Sequence, residues 1–146
     1  MENMILISHR GNINGSNPEM ENNPEYIQKA LDLGYDVEID VWGWKYGGYS
    51  LGHDNPQYDI GVDFLRQDGL WCHAKDMISY YRMMEDPKIH CFAHDSDMVA
   101  LTSKGYFWQS WNFRLTKRSI CVMPPKHKEV PNYVAGICSD EIEYFK

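Results

Sequence analysis

The stretch Asp36-Val37-Glu38-Ile39-Asp40-Val41-Trp42 alternates apolar and acidic side chains and decides how the rest of the chain is interpreted. Because side chains alternate between the two faces of a strand, its valines and isoleucine share one face and Glu38 and Asp40 share the other. Three β-branched residues on one face predict a strand of the core. Two carboxylates on the opposite face present hard oxygen ligands to one point, which suits Mg²⁺ or Ca²⁺. The alternative for this carboxylate pair is a solvated strand face.

Two later segments repeat this arrangement of a polar face behind an apolar one. In residues 70–75, His73 is placed with Trp71 and Lys75, and in residues 88–94, Phe92 is placed between His90 and His94 on one face. Charged or polar groups on an inward face are costly unless they are paired or bind a cation. Three strands with this pattern therefore predict a site. We expect His90, early on its strand, to be a structural histidine.

Predicted strands alternate with predicted helices along the chain, which favours a parallel α/β sheet. A closed (β/α)₈ barrel usually takes about 250 residues, so we predict a compact, trimmed TIM-type (β/α) barrel with some crossover helices reduced to loops. An incomplete barrel would leave a sheet edge that a homodimer could cover. The predicted strands are 4–8, 36–42, 49–51, 70–74, 88–93, 106–109, 119–123 and 134–138, and the predicted helices are 24–33, 60–67, 77–85, 97–101 and 141–145.

Length and composition restrict the class of protein. A chain of 146 residues, 43% hydrophobic, is expected to form a single globular domain over residues 1–146. The net charge of -7 argues against non-specific nucleic-acid binding, which needs a basic surface. No apolar run approaches the ~20 residues of a membrane span, and residues 1–7 resemble a first strand more than a signal peptide. We therefore expect a cytoplasmic protein whose four dispersed cysteines are buried thiols rather than a disulfide or zinc set.

Two histidines flank the carboxylate pair along the sequence. His9 ends the first predicted strand, where parallel sheets place active sites, and Arg10 could bind phosphate oxygens with its guanidinium fork. His53-Asp54 follows a glycine-rich arm, which could fold this histidine over the site to face His9, with Asp54 as its orienting partner. Each motif alone has an ordinary alternative: a structural histidine for His9 and a turn residue for Asp54.

Taken together, the motifs resemble a known family. His9-Arg10-Gly11, Glu21-Asn22, residues 34–41 and Gly52-His53-Asp54 stand in the order found in glycerophosphodiester phosphodiesterases, which belong to the superfamily of phosphatidylinositol-specific phospholipase C-like phosphodiesterases. The similarity covers residues 5–54 closely, and Gly136-Ile137-Cys138-Ser139-Asp140 resembles the last barrel strand of that family. Residues 89–128 match only loosely.

The resemblance implies a metal-dependent hydrolase of a small phosphodiester with one divalent cation. It implies that His9 and His53 are the catalytic pair, of which one protonates the leaving alkoxide and the other activates or performs the attack. It makes Glu38 and Asp40 metal ligands. It makes Arg10 and Lys75 the phosphate contacts.

The sequence departs from the family at His73, where an acidic third ligand is usual. A site of two carboxylates and one imidazole leans away from Mg²⁺ or Ca²⁺ and toward Mn²⁺, Fe²⁺ or Zn²⁺, if His73 ligates at all. His94 and Trp42 are candidate pocket residues, with capping and packing as the alternatives. Two rival functions stay open: a catalytically silent barrel that binds a phosphorylated ligand, and a phospholipase D-like lyase or hydrolase of head groups.

Overall fold

The computed structural model of the protein describes residues 4–146, which fold into a mixed α/β structure. Within this part of the chain the helices are α1 (Pro24–Asp32), α2 (Val62–Leu65) and α3 (Met77–Met84), and a 3₁₀ turn spans Ile142–Phe145. The strands are β1 (Ile5–His9), β2 (Asp36–Gly43), β3 (Tyr49–Leu51), β4 (Tyr58–Ile60), β5 (Leu70–Ala74), β6 (Cys91–Phe92), β7 (Val99–Leu101), β8 (Phe107–Ser110), β9 (Ser119–Val122) and β10 (Gly136–Ser139).

All ten strands belong to one sheet. Seven of them run parallel in the order β6-β5-β2-β1-β10-β9-β8, and β7 is added antiparallel to β8. The hairpin of β3 and β4 pairs antiparallel with the carboxyl end of β2. Over residues 4–146 the strand pairing does not close into a ring. The predicted α/β class with a mainly parallel sheet is thus confirmed, as an open sheet.

The two ends of this sheet nevertheless approach each other. The Cys91 amide donates to the Ser103 hydroxyl at 2.9 Å, and the Ser103 amide donates to the Cys91 carbonyl at 2.8 Å. The rings of Phe92 on β6 and Trp108 on β8 have their centroids 4.7 Å apart. We call this junction between β6 and the turn after β7 the seam. The sheet is therefore curled, and its inner face is enclosed.

The core has separate parts on the two faces of the curled sheet. On the outer face, Val37, Ile39 and Val41 of β2 pack with α1 residues and neighbouring strands. On the inner face, Trp71 and Phe92 belong to a cluster drawn from strands across the sheet. The alternation of side chains along residues 36–42, 70–75 and 88–94 predicts this division between the two faces of the sheet. Glu38 and Asp40 are accordingly buried on the inner side, 2% and 0% exposed.

The helices begin where the sequence predicts. Asn23 caps α1 by accepting from the Glu25 amide at 2.9 Å, with Pro24 in the first turn, and Gly34 follows the helix with a positive φ. Asp76 caps α3 by accepting from the Ser79 amide at 2.8 Å. The Asp76 cap starts α3 directly after the carboxyl end of β5, whereas a longer loop joins β1 to α1.

Several elements differ from the prediction, and the helix predicted over 60–67 is shortened to Val62–Leu65. The helix predicted over 97–101 is instead β7, which pairs with β8 through a turn at Thr102–Gly105. Five residues are too few to hold a helix against this ladder. The strand predicted over 88–93 is reduced to Cys91–Phe92, and β4 was not predicted because its three residues follow a loop without apolar alternation.

The four cysteines are buried, free thiols, as expected. Burial raises the pKa of Cys72 and Cys138 well above the ordinary value, so both stay protonated. Among residues 4–146, no helix combines the length and the apolar character that a membrane crossing requires.

His90 supports the inner core as a neutral side chain. It is 7% exposed, its ring lies 4.1 Å from that of Trp71, and Nε2 is 2.7 Å from the Thr102 hydroxyl. Burial, assisted by the charge of Lys104, lowers the pKa of His90 to about 4. The ordinary value in an unfolded chain is about 6.5.

We predict that the free energy of unfolding decreases as the pH falls from about 6.5 to about 4, because the unfolded chain takes up the His90 proton first. After allowance for partial screening, the loss should be roughly 1–2 kcal/mol. Urea unfolding across this range should show a shallower loss for His90→Gln than for the natural protein. The exposed His127 supplies the control variant, His127→Gln. Parallel curves for His90→Gln and the natural protein would contradict the prediction.

Candidate functional site

Strand register brings the candidate residues together at the carboxyl edge of the parallel strands. His9, the last residue of β1, is opposite Glu38 of β2, and Asp40 of β2 is opposite His73 of β5. His9 Nε2 lies 3.8 Å from Glu38 Oε1, and His73 Nδ1 lies 3.6 Å from Glu38 Oε2 and 3.3 Å from Asp40 Oδ1. Four of the residues singled out from sequence therefore form one cluster.

Three members of this cluster could hold a cation. One ligand atom from each of Glu38, Asp40 and His73 lies within 4.8 Å of the others. Glu38 Oε1 and Asp40 Oδ1 are buried and accept no hydrogen bond, although buried carboxylate oxygens are normally satisfied. Two hard oxygens and one imidazole suit a divalent transition metal, and the orphaned oxygens are what a cation would satisfy. We call Glu38, Asp40 and His73 the cradle, and its donors fit the group that the resemblance implies.

The cradle is strongly polarised. Burial disfavours charge on both Asp40 and His73, but their close contact and opposite charges outweigh it. The pKa of Asp40 is lowered to about 2, with help from Asn22 and Arg10, and the pKa of His73 is raised to about 9. A histidine binds a metal ion through its neutral imidazole, so cation binding at His73 would displace a proton.

His9 is oriented by a residue that follows β10, the direct neighbour of β1 in the sheet. Its Nδ1 lies 2.7 Å from Asp140 Oδ1, directly after β10, which leaves Nε2 toward Glu38. Burial lowers the pKa of His9, but the hydrogen bond to Asp140 and the charge of Glu38 outweigh this effect and raise it overall. A carboxylate on one ring nitrogen fixes the imidazole so that the other nitrogen can transfer a proton.

Arg10 is held in a left-handed backbone conformation, with φ 60°. Its Nε lies 3.2 Å from Asp40 Oδ2 and its Nη1 lies 3.2 Å from Glu21 Oε1. A non-glycine residue in this region is strained, and such strain is usually kept where function needs the side chain in one place. The two carboxylates therefore hold the guanidinium beside the cradle.

Asn22 and Asn12 complete the support. Asn22, also left-handed with φ 68°, donates to Asp40 Oδ2 and accepts from the Asp40 amide, both at 2.9 Å. Asn12 donates to Glu21 at 3.0 Å and to Asp140 at 2.8 Å. Asp40, Glu21 and Asp140 are thus each oriented by an asparagine.

Gly11 is required by close packing in the same loop. Its φ is 97°, and a Cβ at this position would lie 2.5 Å from the Tyr26 ring. Tyr26 donates through its hydroxyl to Asn12 Oδ1 at 2.9 Å. The glycine of the His-Arg-Gly motif therefore allows α1 to approach the loop and orient Asn12.

The cluster opens into a cavity of about 450 Å³, which we call the main cavity. His9, Arg10, Glu38 and His73 form its charged part, and residues 94–98 border it. Its remaining lining comes from the ends of β8 and β9 and the residues that follow them: Trp108, Gln109, Ser110, Trp111, Val122 and Met123.

The other candidates from sequence lie apart from the main cavity. His53 is 45% exposed in its side chain, bonds Asp54 at 2.8 Å, and borders a separate cavity together with Arg10, Glu21 and Asn22. Lys75 borders a third cavity with His73 and His94. Trp42 donates through its indole to the Gly52 carbonyl at 2.6 Å and anchors the β3 arm. Arg10 lines both the main cavity and the His53 cavity, whereas His73 and the candidate pocket residue His94 line both the main and the third cavity.

Sequence reasoning did not assign a role to Asp140, Asn12, Glu21 or Asn22. Glu21-Asn22 and Asp140 stood in the motifs of the resemblance, but their partners depend on β1 lying between β2 and β10. The position of Asp140 immediately after a predicted strand was the one available signal.

Comparisons with models of protein families, with curated proteins and with solved structures find no match to this chain.

Proposed function

We propose that the protein is a metal-dependent phosphodiester hydrolase in which His9 acts as the general acid or base. One observation carries the proposal: an imidazole fixed by Asp140 at 2.7 Å presents its second nitrogen beside a three-donor cation cradle. Phosphoryl transfer needs little more than positioned proton carriers and stabilisation of charge on the phosphate oxygens. Both requirements meet here in a single cavity.

His9 performs the proton transfer in this proposal. Asp140 accepts the hydrogen bond from Nδ1, so Nε2 can take a proton from an attacking hydroxyl or give one to the leaving alkoxide. If the substrate carries a hydroxyl next to the phosphate, attack by that hydroxyl gives a cyclic phosphate before any water enters. The resemblance assigns the second proton transfer to His53, whose cavity is separated from the main cavity by Arg10.

The cation would be held by Glu38, Asp40 and His73. When bound, it would polarise the phosphate and offset the negative charge that grows on its oxygens. Arg10 adds a permanent charge at the same place, and Asp40 and Glu21 keep its guanidinium from swinging into solvent. Lys75, next to His73 at the third cavity, is the second phosphate contact that the resemblance implies.

We also propose that the curled sheet is a trimmed TIM-type barrel. The seven parallel strands, the enclosed inner cluster and the seam support this assignment. The chain connects β8 to β9 and β9 to β10 without an α-helix, so these crossovers are loops. Active sites in such barrels lie at the carboxyl ends of the strands, where the cradle lies here.

A second candidate function is a binding module without turnover. It is favoured by the position of His73 Nδ1, within 3.6 Å of oxygens from both cradle carboxylates. A protonated imidazole there would neutralise the pair in place of a cation. The main cavity would then recognise a phosphorylated ligand through Arg10 alone.

A metal reconstitution assay separates the two functions. Chelated protein should not hydrolyse bis(p-nitrophenyl) phosphate, and Mn²⁺, Zn²⁺, Mg²⁺ or Ca²⁺ added singly should restore turnover with at least one cation. The same cation should raise the melting temperature, because it binds only the folded cradle. If none of the four cations raises the melting temperature or supports hydrolysis, the proposed hydrolase function is refuted. The silent module would show stabilisation by inorganic phosphate without turnover.

A further inference from the structure

One side of the main cavity is apolar and faces open space. Met98 and Met123 are 42% and 38% exposed, and together with Val122 and Trp108 they line the cavity. His9, Glu38 and His73 line the same cavity. We call Met98, Met123, Val122 and Trp108 the apolar wall. Small polar phosphodiesters do not need such a surface, and methionine side chains adapt to apolar ligands of irregular shape.

The apolar wall is a built feature of the fold. The Ser110 amide donates to the Met98 carbonyl at 3.1 Å, and the Trp111 amide donates to the Val122 carbonyl at 3.3 Å. These bonds fasten the segment before β7 to the end of β8, and the end of β8 to the end of β9. The three segments that carry the wall therefore keep fixed positions around the cavity.

Met123 is held toward the cavity at a conformational cost. Its φ is 57°, in the left-handed region that a long side chain rarely adopts, and its amide donates to the Cys138 carbonyl at 2.7 Å. The residue that follows, Pro124, restricts the conformation of Met123 further. Strain of this kind at a cavity rim is typical of ligand contacts.

We infer that the substrate is a phosphodiester with an aliphatic chain on one ester oxygen, and that the apolar wall binds this chain. The inference rests on the proposed function for the phosphate position, which Arg10 and the cradle define. The wall and the cradle border one continuous cavity, so a single molecule can reach both. Each methylene buried against the wall would strengthen binding by up to about fourfold.

A chain-length series tests the inference. The substrates are methyl, butyl and octyl p-nitrophenyl phosphate, below their critical micelle concentrations, with the cation that supports turnover. From methyl to octyl, kcat/KM should rise on the order of tenfold to hundredfold, because the wall covers part of the chain. The variants Met98→Gln and Met123→Asn should remove most of this rise. Asparagine tolerates the left-handed backbone at position 123.

The matched control is Met84→Gln, an exposed methionine on α3 outside the main cavity, which should keep the full rise. Equal kcat/KM for the three esters, or the same rise in all variants, would overturn the inference. Esters of the same chain length in zwitterionic phospholipid vesicles form a second arm. A wall-dependent rate in either arm supports the inference, and the arm in which it appears identifies a dispersed or a membrane-bound source.

Calorimetry with alkylphosphonates, which are not hydrolysed, separates this inference from the proposed function. Octylphosphonate should bind at least tenfold more tightly than methylphosphonate, and Met123→Asn should reduce that difference. Wall-dependent binding of the phosphonates without turnover of any ester would support the apolar wall as a binding site and refute the proposed hydrolase activity. Turnover together with equal binding of both phosphonates would support the hydrolase activity and refute the role of the wall.

Discussion

Replacement of His9 by alanine should lower phosphodiester turnover by roughly 10²- to 10⁴-fold without unfolding the protein. His9 is at the end of β1 and lines the main cavity, so alanine enlarges an existing cavity and opens no new one in the core. The core residues of β1, such as Ile7, lie on the enclosed part of the strand. The assay is single-turnover hydrolysis with saturating cation, with the melting temperature as the measure of folding.

Asp140→Asn gives the matched comparison for orientation of the imidazole. The amide of asparagine can donate to Nδ1, which would place the ring proton on Nε2 and remove the lone pair that accepts a proton. We expect a loss within tenfold of that in His9→Ala, since both changes disable the same nitrogen. Full activity in Asp140→Asn would show that the 2.7 Å contact has no catalytic role.

His53→Ala tests the second proton carrier that the resemblance implies. A two-histidine mechanism requires a comparable loss, and the arm would have to bring His53 past Arg10 toward the cradle. Activity retained in both His9→Ala and His53→Ala would exclude the two-histidine mechanism. Activity lost only in His9→Ala would leave His9 as the single proton carrier.

The second large effect concerns the two cradle carboxylates, which should differ in their contribution to stability. Glu38 Oε1 accepts no hydrogen bond, whereas Asp40 is tied to Asn22 and lies 3.2 Å from Arg10. Glu38→Gln should change the free energy of unfolding of metal-free protein by less than about 1 kcal/mol. Asp40→Asn should lower it by roughly 3 kcal/mol, because it weakens a buried ion pair.

Both variants should lose the stabilisation that the cation gives, since each removes a charged ligand. The measurements are urea unfolding of chelated protein and melting temperature across a cation titration. Arg66→Gln is a suitable control, because it removes exposed ion pairs with Asp63 and Asp86 far from the cradle. A cation response that survives in Glu38→Gln would show that Glu38 is not a ligand.

The pattern in residues 36–42 was sufficient to predict the strand, its buried face and its inward carboxylates. Local alternation decides which face a side chain occupies, and the same holds for His73 and Phe92. The class of fold followed from the order of strands and helices. The helix predicted over 97–101 failed because its residues pair with β8, and a five-residue segment has no periodicity strong enough to reveal that.

The support of the site could not be predicted from local pattern. Asp140 reaches His9 across 131 positions of sequence, and that contact exists because β10 pairs with β1. The left-handed conformation of Arg10 likewise depends on tertiary contacts, since arginine is not a residue that sequence alone would place there. The sequence thus indicated candidate residues, and the topology decides which of them lie together.

The seam is the place where the curled sheet should open most easily. Strand ladders hold every other junction of the sheet, whereas a few hydrogen bonds around Cys91 and Ser103 join its two ends. Local opening begins where the fewest hydrogen bonds must break, so local unfolding of the sheet should begin at the seam. Glu38 and Asp40 lie on β2, near the middle of the sheet, and β5 separates them from the seam. The fold therefore places its more mobile edge beside the main cavity and next to His73, and keeps the two carboxylates one strand further from that edge.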